Sequence, residues 1–281
     1  KKYSGSLFSI SLVDSLPLVE VEARLNSSKN TSLQKIRLVI DTGSNVSLIS
    51  EKFFSGSNNS PPKKMIIRSL NSTSEIDFHE NFLDIYHCEE DLYINNKISF
   101  TKFPDNFQFD WILGNDLLSE FDIILDFPKS VFLLKKNQSI LLEDFGFIGF
   151  PIEFYKNYLV VNAFINSSEP KKFLLDTGSG VSYLILGDTD KEKFSFGEKA
   201  FYFDVLGKIQ ETETRNAKSV CFISQINCVK DVEFLIGKNS FKLNSFKNGE
   251  MSGLIGMNLL MRKEYIISYS AKKIYFRKNS D

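Results

Sequence analysis

Apolar and polar positions alternate with a period of two over residues 6–26, most cleanly at 18–26, which predicts half-buried antiparallel strands. A Ser- and Asn-rich stretch at 26–34 predicts a loop, residues 36–40 a strand, residues 46–49 another short one, and 55–62 a second loop. Residues 65–78 have β-prone arms around turn-forming residues near Asn71 and predict a hairpin. Strands are expected at 82–86 and 92–103, the latter interrupted at Asn95 and Asn96. Residues 111–121 then read as an apolar strand, a turn at Gly114 and a short amphipathic helix starting at Asn115. Strands at 121–127 and 131–134, around Pro128, end this half of the chain.

The second half follows the same order. Residues 159–168 echo 19–28, residues 173–182 echo 38–47, and a second hairpin pattern at 201–210 turns near Gly207. Residues 252–260 then copy 111–118. The offset between copies is close to 140 residues, too long for a solenoid period, so the pattern predicts two homologous lobes, 1–140 and 141–281, with a linker near 135–143. The fold class is all-β, with the two lobes related by a pseudo-twofold axis.

The repeat is most pointed where a strand runs straight into an acid, at Asp41-Thr42-Gly43-Ser44 and Asp176-Thr177-Gly178-Ser179. A carboxylate at the end of an apolar strand loses hydration and needs donors or a partner charge. Gly allows a turn tight enough to aim an amide at it, and the hydroxyls add donors with little bulk. A single copy also reads as a plain Asp-Gly turn between strands; two copies in matching context leave that reading little room. A twofold arrangement would bring Asp41 and Asp176 together. Two such acids cannot easily both ionise, so one proton is held between them and the site offers an acid and a base together.

Composition narrows the function without choosing it. The chain is 42% hydrophobic and 25% charged, enough for a substantial core. Its 34 basic residues nearly balance 35 acidic ones, with no basic run bearing interleaved aromatics, so nucleic acid is not expected as a partner. No apolar run approaches the roughly 20 residues of a membrane-spanning helix. The sequence starts at Lys1 without Met, which suggests a removed leader and an exported protein, in the periplasm, at the cell surface or secreted. Cys88, Cys221 and Cys228 form no even framework and no metal-ligand spacing. Cys221 and Cys228 could pair, but buried free thiols are the expectation.

The two Asp-Thr-Gly-Ser motifs, each followed roughly 75 positions later by two apolar residues and Gly (Ile112-Leu113-Gly114 and Leu254-Ile255-Gly256), resemble the aspartic proteases of the pepsin and retropepsin group. The resemblance covers nearly the whole chain. It implies two β-barrel lobes with a cleft between them, and the small size of each half makes the chain look like two retropepsin-like lobes fused in tandem. It implies an aspartic endopeptidase working on a polypeptide substrate as a monomer, without metal or other cofactor. Asp41 and Asp176 would be the catalytic pair. Thr42 and Thr177 would cross-bond the two loops, and Gly43 and Gly178 would present amides to the carboxylates. Ser44 and Ser179 would donate hydroxyls to the ionised form, lower the pair's pKa values and shift the optimum to acid pH. Leu70, Asn71 and Ser72, and Leu206, Gly207 and Lys208, would be the tips of flaps closing over substrate. Neither tip has the Tyr expected of pepsin-like enzymes, because Tyr202 falls well before Gly207.

Other residues have plainer readings. His79 and His87 lack a nucleophile motif, so a Ser or Cys protease is not expected. Asp116 and Asp126 stand where the second half has Asn258 and Ser268, which argues for helix capping or a loop hydrogen bond. Trp111 reads as core, with Gly253 in its place in the other half. The rival to an enzyme is a peptide-binding or scaffolding protein that keeps the fold without activity.

Overall fold

The computed structural model describes residues 6–13, 16–25, 34–54, 61–68, 73–87, 92–136, 146–186, 194–203, 209–222, 228–237, 251–262 and 264–277. In the first half these form β1 (Ser6–Val13), β2 (Leu16–Leu25), β3 (Gln34–Ile40), β4 (Leu48–Ser50), β5 (Lys63–Arg68), β6 (Thr73–His87), β7 (Leu92–Thr101), β8 (Trp111–Leu113), α1 (Asn115–Leu118), β9 (Phe121–Asp126) and β10 (Val131–Lys136). The second half contributes β11 (Phe147–Pro151), β12 (Glu153–Tyr155), β13 (Tyr158–Ile165), β14 (Lys171–Leu175), β15 (Ser182–Ile185), β16 (Ser195–Phe203), β17 (Ile209–Phe222), β18 (Cys228–Gly237), β19 (Gly253–Ile255), α2 (Met257–Leu260), β20 (Glu264–Ser268) and β21 (Lys273–Arg277). The all-β expectation holds, with α1 and α2 single helical turns.

Each half arranges its strands the same way. The first runs β2-β3-β8-β4-β7-β6-β5, closed on itself by β2 against β6; the second runs β13-β14-β19-β15-β18-β17-β16, closed by β13 against β17. In both, the strand that precedes the acid pairs in parallel with the short strand of the second motif, β3 with β8 and β14 with β19. A central strand is covered on both faces, which is why the alternation of β3 gives way to continuous burial at Leu38, Val39 and Ile40. The acid therefore follows directly on the buried end of its strand.

The halves join through a sheet in the order β11-β21-β20-β9-β10-β1, so strands from both lobes share one hydrogen-bonded surface. At its centre Ile124 of β9 lies directly opposite Ile266 of β20. These are equivalent positions of the repeat, so the pseudo-twofold axis passes between them. At one end Asp126 and Glu264 face each other in register. Each is held by a cation of its own lobe, Asp126 by Lys129 and Glu264 by Arg277, so two buried acids can be neighbours. Asp126 also accepts from the Lys129 N–H and so caps the 3-10 turn Phe127–Lys129, the capping role its position suggested.

The core runs through both lobes, with Ile36, Ile40, Ile49, Phe100 and Leu118 in the first and Phe173, Leu175, Phe222 and Phe234 in the second. Trp111 is buried in it, as expected. Its counterpart Gly253 has a φ of +153°, and a Cβ there would lie 1.9 Å from the Tyr183 carbonyl oxygen. The asymmetry of the pair is thus a matter of space.

The expectation of free thiols fails at one pair. Cys221 and Cys228 are joined in a disulfide. They stand directly opposite each other across β17 and β18, with Cα atoms 4.0 Å apart, a juxtaposition set by the hairpin and not by spacing in sequence. Cys88 lies outside the described residues.

Gly253→Ala puts a methyl group into the backbone of β15. It is expected to destabilise the protein by about 2 kcal/mol, measured as a lower urea midpoint with an unchanged slope.

Candidate active site

Each acid is set by the strand beside its own. The Asp41 N–H donates to the Leu113 carbonyl at 3.0 Å, and the Asp176 N–H to Ile255 at 2.9 Å, so each loop leaves its sheet at a defined point. The loops are then tied to the short helices. Ser44 O accepts from Asn115 N–H and Ser179 O from Met257 N–H, both at 2.8 Å. Behind them Ser47 Oγ accepts from Gly114 N–H at 2.9 Å and donates to Asp116 Oδ1 at 2.6 Å. Ser182 repeats this with Gly256 at 2.9 Å and Asn258 Oδ1 at 2.7 Å. Asp116 is therefore a loop-holding acceptor, as its exchange for Asn258 implied.

Thr42 and Thr177 lock the two loops to each other. Thr42 Oγ1 accepts from Thr177 N–H at 3.1 Å and donates to Leu175 O at 2.8 Å; Thr177 Oγ1 accepts from Thr42 N–H at 3.0 Å and donates to Ile40 O at 2.6 Å. Both residues are fully buried, and four backbone groups that water cannot reach find partners across the axis.

The glycines do more than turn the chain. Gly43 N–H donates to Asp41 Oδ1 and Gly178 N–H to Asp176 Oδ1, both at 2.9 Å, as expected. In addition, a Cβ on Gly43 would lie 2.3 Å from Asp176 Cγ, and one on Gly178 equally close to Asp41 Cγ. Each glycine packs against the carboxyl of the opposite lobe. Any side chain there would push the acids apart.

Asp41 and Asp176 hydrogen-bond each other, and both keep partial contact with solvent. Desolvation raises Asp41 from 3.8 to about 6, against the pull of the Gly43 and Ser44 N–H groups. Desolvation, and then the charge of Asp41, hold Asp176 well above the usual carboxylate range. The pair can therefore keep one proton over a wide span of pH.

Ser44 and Ser179 correct one expectation. Their hydroxyls turn into their own loops, Ser44 Oγ donating to Val46 O at 2.9 Å and Ser179 Oγ to Val181 O at 2.8 Å. What reaches the carboxylates is the backbone N–H of each serine. A short hydroxyl bonds the nearest carbonyl two residues on, so it does not lower the acids.

The arms of both expected hairpins are present, as β5 with β6 and β16 with β17. The flap positions Leu70, Asn71, Ser72, Leu206, Gly207 and Lys208 lie outside the described residues. Tyr202, on the second hairpin, packs edge-on against Tyr183 with ring centroids 5.6 Å apart. The two hydroxyls are hydrogen-bonded, and Tyr183 feels the charge of Asp176. On the Asp41 side Tyr269 Oη donates to Asn115 Oδ1 at 2.5 Å, and Asn115 Nδ2 donates to Thr42 O at 2.7 Å. Sequence reading missed Tyr183, Asn115 and Tyr269. Their signal was a mismatch within the repeat, since they stand opposite Leu48, Met257 and Phe127. His79 stacks on Phe54 and lies outside this constellation. Among the described residues no cluster of three or more His, Cys, Asp or Glu could hold a metal ion, and no helix is long and apolar enough to cross a membrane.

No protein-family model and no curated protein sequence matches this chain. Among solved structures it is similar to the aspartic proteinase from Irpex lacteus, with a TM-score of 0.55 and 12% identity over 98% of each chain. The similarity extends over the whole length, and the fold is that of a two-lobed aspartic proteinase.

Two outcomes follow from this geometry. Thr42→Val leaves buried groups of the opposite loop unpaired at a cost of about 1–3 kcal/mol each, which a urea titration will show. An acid whose folded pKa lies above its unfolded one binds more protons when folded, so stability falls as pH rises from 3.8 through about 6 for Asp41, and further for Asp176. Asp41→Asn and Asp176→Asn are thus expected to raise Tm over the parent protein at pH 7, with the gain vanishing near pH 4.

Proposed function

We propose that the chain is an aspartic endopeptidase in which Asp41 and Asp176 activate one water against a peptide carbonyl. The observation that carries this reading is the reciprocal packing of Gly43 on Asp176 and Gly178 on Asp41, which leaves the two acids in mutual hydrogen-bond contact. Holding two desolvated carboxyls together is costly for a scaffold and has a clear use in acid-base chemistry.

In the reaction the ionised acid takes a proton from the water as its oxygen bonds to the carbonyl carbon. The protonated acid gives its proton to the carbonyl oxygen, and a neutral tetrahedral diol forms. The acid that gained the water's proton then delivers it to the amide nitrogen. The C–N bond breaks, the other acid recovers its proton from a hydroxyl of the diol, and a carboxylic acid and an amine leave. The water is the only co-reactant.

The substrate on this reading is an extended polypeptide lying under the two hairpins, bound by its backbone with pockets for alternate side chains. The shared strand order of the lobes supports a tandem of retropepsin-like units in one chain, divided at about residue 140 and active as a monomer. The Cys221–Cys228 bridge suits a protein of an oxidising compartment. With Asp41 raised to about 6 and the serine hydroxyls turned away, the singly protonated pair forms as pH rises through about 6, so activity is expected to fall off toward strongly acidic pH and to hold above that value until Asp176 ionises.

The test is cleavage of a mixed peptide library from pH 3 to 8 by the parent protein, Asp41→Asn and Asp176→Asn. Activity is expected in the parent and a loss of about 10²-fold or more in each variant. Activity surviving either substitution would refute the shared pair. A folded parent that cleaves nothing at any pH would favour a peptide-binding protein.

A further inference from the structure

The two acids open the same four-residue motif, Asp-Thr-Gly-Ser, yet the hydrogen bonds behind the loops differ. Tyr269 Oη donates to Asn115 Oδ1 at 2.5 Å, and Asn115 Nδ2 donates to Thr42 O at 2.7 Å. That carbonyl belongs to the same peptide group as the Gly43 N–H, which donates to Asp41 Oδ1 at 2.9 Å. An unbroken chain thus runs from a phenol of the second lobe, through a side-chain amide and a backbone amide of the first, to one carboxylate. A hydrogen bond accepted at an amide oxygen polarises the amide and makes its N–H a better donor. On the other side Gly178 N–H donates to Asp176 Oδ1 at the same 2.9 Å, but the position of Asn115 is taken by Met257 and that of Tyr269 by Phe127. The Met257 side chain has no N–H to offer the Thr177 carbonyl, and its backbone N–H is given to Ser179 O.

We propose that Tyr269 and Asn115 are positioning residues that make the acid pair unequal, assigning the negative charge to Asp41 and the proton to Asp176. The strengthened donor favours the ionised form of Asp41, and its neighbour then keeps the shared proton. Within the endopeptidase reading, on which the catalytic consequence rests, Asp41 takes the proton from water and Asp176 donates to the carbonyl oxygen. The other titratable groups facing the pair are Tyr183 and Tyr202 on the Asp176 side and Tyr269 on the Asp41 side. Tyr183 and Tyr269 are both pushed up, first by burial, so each remains a neutral phenol. Tyr269 and Asn115 are almost wholly buried, which keeps water from replacing either link.

The repeat supplies its own control. Asn115→Met with Tyr269→Phe gives the Asp41 side the residue types that already stand at the equivalent positions on the Asp176 side, Met257 and Phe127, removing donor and acceptor together, so no buried polar group is stranded at the side chains. The readout is ¹³C NMR titration of carboxyl-labelled Asp, assigned with Asp41→Asn and Asp176→Asn, alongside the pH profile of peptide cleavage. In the parent the charge is expected on Asp41. In the double variant the pair's first ionisation is expected to rise by about half a pH unit and the proton to spread over both acids, with kcat falling several-fold and KM little changed. Should the double variant not fold, Tyr269→Phe alone is expected to show a smaller shift in the same direction. Unchanged titration and proton placement in a folded variant would overturn the proposal. The titration needs no catalysis. If the parent cleaves nothing but the shift is seen, the endopeptidase reading fails and the assignment of charge stands.

Discussion

Two carboxyls drawn partly out of water and pressed together are the constraint on which the rest of the structure depends. Desolvation alone pushes both toward the neutral form, and the charge of Asp41 holds the proton on Asp176, whose hydrogen bond in turn favours the ionised Asp41. The arrangement persists because the surrounding loops leave no alternative. Glycine removes the side chain that would separate the acids, threonine satisfies the backbone of the opposite loop, and the following serines tie each loop to a helical turn. Each of these contacts crosses between lobes or between strands distant in sequence. The site therefore exists only when both lobes are folded and joined through the sheet centred on Ile124 and Ile266.

Much of this was legible because the chain states it twice. The periods of the strands, the Gly114 and Gly256 turns and the two Asp-Thr-Gly-Ser motifs all lie in local stretches, and a local pattern repeated in order implies a repeated fold. What stayed hidden was chiefly contact between distant positions. The turn of the Ser44 hydroxyl to Val46 O, two residues on, was a local contact that the motif alone did not disclose, whereas nothing local says that Cys221 lies opposite Cys228. The second case is a hairpin register, set by how β17 and β18 pair and invisible in a spacing of seven residues.

Glycine shows the same divide within one residue type. Gly43 and Gly178 could be read as turn formers, which they are, but the contact that forbids a side chain comes from the other half of the chain. Gly253 was readable only as a gap opposite Trp111, and its reason is the carbonyl of Tyr183. A sequence motif reports which residues a loop tolerates; the neighbour that enforces the choice appears once the lobes are assembled.

The departures from the repeat bear on the chemistry. Two identical loops around a twofold axis give a proton no basis for choosing between equivalent acids, so a symmetric pair must take its bias from whatever binds asymmetrically. A chain that encodes its lobes separately is free of that limit, since positions 48 and 183, 115 and 257, and 127 and 269 can diverge. Here they have diverged in a consistent sense, with hydrogen-bond donors leading to the Asp41 loop and a tyrosine pair gathered near Asp176. A polarised amide changes a carboxylate's pKa by a fraction of a unit, far less than desolvation does, yet between two acids sharing one proton a difference that small is enough to set where the proton rests.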